Sequence, residues 1–170
     1  MENILKRRSV RKFDSSKKIT FETLKSLCKA GESAPSARNQ KSRSYIIIDD
    51  KKLIYELSKV SAGAKVIEGC TAVIAVLGKD PKTLFTPLMQ QQDLSCAVEN
   101  ILLAATSMGI GSCYIGIYPI EERVKECNQL LEVKDSAFTF ALIALGYPED
   151  FPAFYEREKW SDDLLHHNRY

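Results

Sequence analysis

The residues best suited to chemistry stand in two clusters near the start of the chain. The first is Lys6-Arg7-Arg8-Ser9-Val10-Arg11-Lys12-Phe13, a run of cations placed just ahead of the first long helical pattern. Arginine presents a planar fork of donors that suits bidentate contact with phosphate, and a serine between arginines adds a neutral donor. On residue physics alone this run is either a solvated basic terminus or an anion site. The second cluster, Ser33-Ala34-Pro35-Ser36-Ala37-Arg38-Asn39-Gln40, is a proline-stiffened loop rich in amide and hydroxyl groups, more than a plain helix-to-strand connection needs. Other chemistries lack their parts. There is no GxGxxG after the first strand, no GxxxxGK[ST] and no GxSxG elbow, and the two histidines, His166 and His167, sit together near the C-terminus. The cysteines at 28, 70, 96, 113 and 127 form no CxxC pair, so neither a disulfide frame nor a zinc site is expected, and no metal ligand set is assigned.

These clusters need a frame, and the hydrophobic pattern supplies one. Thr20 is a good N-cap for a helix with Phe21, Leu24, Leu27 and Cys28 at helical spacing, ending near Gly31. Tyr45–Asp49, Thr71–Leu77 and Phe138–Leu145 are short, nearly continuous apolar runs that predict strands buried on both faces, and Cys113–Ile117 reads as another extended segment. A short helix is expected over Lys51–Val60, capped by Asp50. From Asp93 to Met108 an apolar three-four spacing predicts the central helix, with Gly109 as its left-handed cap. Its alanines would allow close approach of a neighbour, inside the monomer or across a subunit boundary. Pro119 suits the first position of a charged helix over Ile120–Leu131. Beyond Pro148 the chain turns polar and aromatic, and residues 151–170 read as a tail, solvent-covered or draped over a neighbour. Strands separated by helices give an α/β or α+β chain of a single domain, residues 1–170.

Composition bounds the function. With 24 Lys and Arg against 22 Asp and Glu in 170 residues, the net charge of +2 disfavours a general nucleic-acid binder. No window approaches a membrane span, and the N-terminus shows no export signal, so a cytoplasmic protein is expected.

The clusters, followed by Glu99-Asn100-Ile101-Leu102-Leu103-Ala104-Ala105, Gly109-Ile110-Gly111-Ser112-Cys113 and Ala144-Leu145-Gly146-Tyr147-Pro148, resemble in order and spacing the nitroreductase family of flavin enzymes, and most closely its short bacterial members. The resemblance implies an α+β three-layer sandwich, with a central, mostly antiparallel sheet flanked by helices. It also implies a homodimer that binds FMN at the subunit interface and takes electrons from NAD(P)H for a small-molecule acceptor such as a nitroaromatic or quinone. By the same resemblance, Arg7 and Ser9 match phosphate and ribityl contacts, Arg8 lies between them, and Arg11 matches the cation near flavin N1 and C2=O. Pro35, Ser36, Ala37 and Asn39 match a loop reaching the flavin from the partner subunit. Ile115 and Gly116 match backbone that approaches the isoalloxazine, where a glycine leaves room for close contact.

Arg157 and Lys159 stand where the family has a basic residue on the FMN phosphate, in a tail expected to pack on the partner. No side chain is assigned a catalytic role, because the flavin performs the chemistry while the protein positions and tunes it. The sequence departs from the family after Asn39. Where Gln-Pro-Trp often follows one further residue, this chain has Gln40-Lys41-Ser42-Arg43. Lys41 and Arg43 then either add two cations near the cofactor, favouring an acidic substrate or the phosphate of NADPH, or point to solvent. The same departure motivates an alternative, a non-catalytic flavin-binding or regulatory protein of this fold.

Overall fold

A computed structural model describes residues 1–150, 152–156 and 161–170. Among the described residues four strands, β1 (Arg43–Ile48), β2 (Ala72–Lys79), β3 (Gly111–Gly116) and β4 (Ala137–Gly146), form one antiparallel sheet in the order β1-β2-β4-β3. Five α-helices among the same residues surround it: α1 (Glu2–Lys6), α2 (Phe21–Glu32), α3 (Lys51–Leu57), α4 (Gln90–Ser107) and α5 (Glu121–Leu130). The period of two along β2 divides the core. Val73, Ala75 and Leu77 face Leu57 of α3, Ile67 of a 3₁₀ segment and Cys127 of α5, while Ala72, Ile74 and Val76 face Leu24 and Leu27 of α2 and Leu94, Val98 and Ile101 of α4. Both faces of the central strands are therefore dry, which is why β2 and β4 read as unbroken apolar runs. The architecture is the expected α+β three-layer sandwich.

Four local expectations change. β1 is the edge strand, so Tyr45, Ile46 and Ile47 are only half-buried and not enclosed on both faces. The central helix begins at Gln90 instead of Asp93, because a polar first turn precedes the apolar stripe. Pro119 is not the first residue of α5. Ile120 is its N-cap, and a turn closed by Ile120 N–H on the Ile117 carbonyl at 3.1 Å sets the proline before the helix. Finally, the close approach that the small residues of α4 allow occurs within the chain. Ala97 and Ala105 are buried there, Asn100 Nδ2 donates to the Ala30 carbonyl at 3.1 Å, and Gly31 of α2 lies directly against Ile101.

The basic N-terminal segment is seated on the outer edge of β3. Ser9 bridges Ser112 in parallel, Val10 N–H donates to the Ser112 carbonyl at 2.9 Å, and Phe13 bridges Pro148. Two glycines make room for it. A Cβ on Gly111 would come within 2.8 Å of Val10 Cγ1, and one on Gly146 within 2.8 Å of Phe13 Cδ1. Both contacts are shorter than the separation of carbon atoms at their attractive optimum, about 3.5–4.0 Å. Val10 and Phe13, both buried, would have to move to admit the extra carbon. Replacing Gly146 by Ala is expected to lower the unfolding free energy by about 1–3 kcal/mol, the usual penalty of overpacking, as measured by denaturant titration. An unchanged midpoint would mean that Phe13 is not seated there.

Candidate functional site

The docked segment turns its polar side chains to one cleft of about 280 Å³, closed on the far side by Pro148, Asp150, Pro152, Ala153 and Tyr155. Arg8, Ser9, Arg11 and Lys12 line it. Lys12 is paired with Asp150 at 3.4 Å, both side chains exposed. Arg8 and Arg11 have no carboxylate partner among the described residues. Arg8 donates through Nη1 to its neighbour's carbonyl and stacks its guanidinium 4.9 Å from the centre of the Tyr155 ring. Among the described residues its buried Nε and Nη2 have no hydrogen-bond acceptor, and neither has the buried hydroxyl of Ser112, the residue bridged to Ser9. Buried donors without acceptors cost about 1–3 kcal/mol each, and more when charged, so this cleft favours an anion that can accept from them. Arg11 donates to the Ser9 carbonyl at 3.2 Å, which folds it over β3. Burial raises the pKa of the Cys113 thiol, and the nearby Arg11 charge pulls against that shift.

Of the remaining sequence-expected residues, Arg7 turns away from the cleft and pairs with Glu99 of α4 at 3.3 Å. Ile115 is buried in the core through its side chain, while Gly116 is exposed, and a Cβ there would meet nothing within 4 Å, so the backbone of this edge strand is open. Arg157 and Lys159 lie outside the described residues. Pro35, Ser36 and Ala37 border a different hollow of about 220 Å³, shared with Met89, Gln92, Asp93 and Cys96. It has no residue in common with the arginine cleft. The structure thus gathers Arg8, Ser9 and Arg11, and it does not bring Pro35–Asn39 to them within one chain. A larger cavity of about 720 Å³, bordered by Tyr118, Val124, Asn128 and Phe138, holds none of these residues.

The loop itself corrects the expectation for Arg43. Its side chain is 2% exposed and does not face solvent. The guanidinium closes the end of α2, bonding the carbonyls of Glu32 at 2.7 Å and Pro35 at 3.4 Å and that of Ala34, and pairing with the Glu32 carboxylate at 3.3 Å. Lys41 is exposed, as are Arg38 and Asn39. Sequence reasoning also missed Asp93, a buried carboxylate that accepts from Ala37, Gln40 and Ser42. Its signal was weak, since an acid in the first turn of a helix is ordinary.

Burial pushes Cys28 and Cys70 up to about 11 and Cys127 up to about 12, which keeps them protonated and unreactive at neutral pH. Among the described residues no group of His, Cys, Asp or Glu could hold a metal ion, and no helix is long and apolar enough to cross a membrane.

The chain belongs to the nitroreductase family, whose family model matches residues 4–78 and 63–147. It is 36% identical, over the whole of both chains, to an Archaeoglobus fulgidus protein whose provisional name is NADH dehydrogenase/NAD(P)H nitroreductase. Among solved structures, a Clostridium acetobutylicum protein provisionally named an NADH oxidase superposes with a TM-score of 0.93 at 32% identity, covering 99% of both chains. An FMN-dependent nitroreductase from Clostridium difficile R20291 shares the fold, with a TM-score of 0.89 at 24% identity over 99% of both chains.

The different settings of the two loop cations can be measured. Arg43→Leu leaves three carbonyls without their donor and is expected to cost about 2–4 kcal/mol of unfolding free energy, whereas Lys41→Ala should change it by no more than about 0.5 kcal/mol. Equal small losses in denaturant unfolding would contradict the burial of Arg43.

Proposed function

We propose that the protein is a cytoplasmic, homodimeric FMN-dependent oxidoreductase that takes reducing equivalents from NAD(P)H and delivers them to a small oxidised acceptor such as a nitroaromatic or a quinone, in alternating half-reactions. The observation that carries this reading is the cleft lined by Arg8, Ser9 and Arg11, in which Arg8 Nε and Nη2 are buried without acceptors among the described residues. A terminal phosphate supplies acceptors of the right charge. The names of the Archaeoglobus fulgidus relative and of the Clostridium difficile nitroreductase support the donor and the cofactor.

FMN, when bound, supplies the hydride-accepting and electron-passing chemistry. The chain supplies binding and tuning. Arg8 and Ser9, with Ser112 beneath them, would hold the phosphate end, joined by Arg7 if it exchanges Glu99 for the ligand, and by Arg157 and Lys159 from the tail. Arg11 is free of any carboxylate among the described residues. It would set a positive charge beside the ring where negative charge develops on reduction, a role of electrostatic stabilisation without proton transfer. Gly116 offers open backbone for a flat ligand and Ile115 anchors that strand in the core. No acid or base is required of a side chain, and none is assigned.

The separation of the two motif groups supports the dimer. A cleft of about 280 Å³ is small against the roughly 300–1,000 Å³ of a whole ligand site. The loop Pro35–Asn39 of a second copy would complete it, with the tail 151–170 draped over that copy. Large apolar side chains that one chain leaves bare, among them Leu88 at 91% and Phe85 at 77% exposure, fit an association surface.

The purified protein should carry flavin absorption and release FMN, not FAD, on heating, and it should oxidise NAD(P)H in the presence of an added quinone or nitro compound. Stoichiometric FAD would overturn the site, and bound FMN without turnover would establish the non-catalytic alternative. Arg11→Ala is expected to lower the flavin reduction potential while leaving the unfolding midpoint nearly unchanged, since an exposed side chain contributes little to stability. An unaltered potential, read by spectroelectrochemical titration, would remove Arg11 from the site.

A further inference from the structure

The loop that carries Pro35 to Asn39 is shaped by a carboxylate from the far end of the sequence's central helix. Asp93, 5% exposed in the first turn of α4, accepts the Ala37 N–H on Oδ1 at 2.8 Å, and on Oδ2 it accepts Gln40 Nε2 at 2.7 Å and the Ser42 hydroxyl at 3.1 Å. Gln40 is fixed in turn, its Oε1 accepting Thr86 N–H and Oγ1, each at 3.1 Å. Between these ties the backbone takes a costly path. Arg38, Asn39 and Lys41 have φ of 51°, 53° and 45°, in the left-handed region. That region costs non-glycine residues on the order of 1–2 kcal/mol each. A short exposed loop holds such a conformation only when its surroundings over-determine it, and such strain gathers at ligand clamps.

We propose that Asp93 is the positioning residue of the flavin loop. Its carboxylate, with Arg43 closing the other end, holds the loop in the one conformation that presents the Asn39 amide and the Ser36 hydroxyl to a cofactor in the cleft of a second copy. The bond inventory agrees with this division. Ala37 N–H is consumed by Asp93, and Ser36 Oγ accepts Lys41 N–H at 3.2 Å while its own proton stays free to donate. Asn39 is exposed. The inference rests on the reading of this loop as the partner's share of an FMN site. It goes further in assigning the loop's geometry to a residue outside the loop.

The test is Asp93→Asn, which keeps the volume but turns an amide toward the Gln40 and Ser42 donors. The dissociation constant for FMN, read by flavin fluorescence well below the melting temperature of both proteins, is expected to rise about tenfold, equivalent to about 1.4 kcal/mol. Leu57→Ala, a core change on the opposite face of the sheet, serves as the reference for general loosening and should leave that constant where it is in the unaltered protein. An Asp93→Asn protein that is folded, equal in size to the unaltered one and equal in FMN affinity overturns the assignment. So does a Leu57→Ala protein that loses as much affinity. If Asp93→Asn does not fold, Gln40→Met removes the loop's side of the same contact while sparing α4, and it should raise the constant about threefold or more. An unchanged constant there also overturns the proposal. Failure of the unaltered protein to bind FMN would instead refute the reading of the site.

Discussion

Two guanidinium groups held at the edge of a sheet, with no carboxylate against them among the described residues, are the constraint around which this molecule is arranged. Arg8 would be better solvated on a loose terminus, since among the described residues two of its buried donors have no acceptor, while Arg11 remains exposed. They stay in place because the segment that carries them is welded to β3 and β4 by the Val10 N–H bond and by Val10 and Phe13 packing where only glycine leaves room. Packing of Val10 and Phe13 against the glycines of β3 and β4 thus offsets the electrostatic cost of a site poised for an anion. Such local unfavourable placement is expected where a ligand supplies the missing partner.

The same logic governs the Pro35–Asn39 loop, with charges used in the opposite way. Here Arg43 and Asp93 are buried and fully occupied, and their bonds go mainly to backbone groups and neutral side chains. In a low-dielectric setting such bonds are strong and leave little slack. One face of the protein therefore holds cations that seek a ligand, and another holds a stiff loop whose ionic groups are already satisfied. A two-fold pairing of identical chains is the simplest way for each copy's loop to meet the other's cations.

Much of the frame could be read from the residues. β2 and β4 are legible because both of their faces are dry, and α2 because Thr20 accepts the Thr23 N–H as an N-cap should. The order of the motifs was enough to suggest the family, and Arg8, Ser9 and Arg11 do share one cleft. What escaped the sequence depends on contacts between residues far apart in the chain. Nothing local marks Asp93 as the anchor of a loop 56 residues earlier, or Arg43 as the cap of α2. The half-burial of β1 likewise follows from its place at the edge, which no run of isoleucines announces. Arg7 was assigned by resemblance to a phosphate, yet in this chain it answers Glu99 on α4, a pairing set by the docking of α1.

The central claim is that neither copy of the chain owns a complete cofactor site. A ligand that touches both copies stabilises their association by its differential affinity, so binding and dimerisation form one linked equilibrium. Size-exclusion chromatography over a dilution series, read at both protein and flavin absorption, tests this most directly. The flavin signal should travel only with the dimer, and cofactor-free protein should dissociate at a higher concentration than the loaded form. A monomer that retains its flavin would contradict the account.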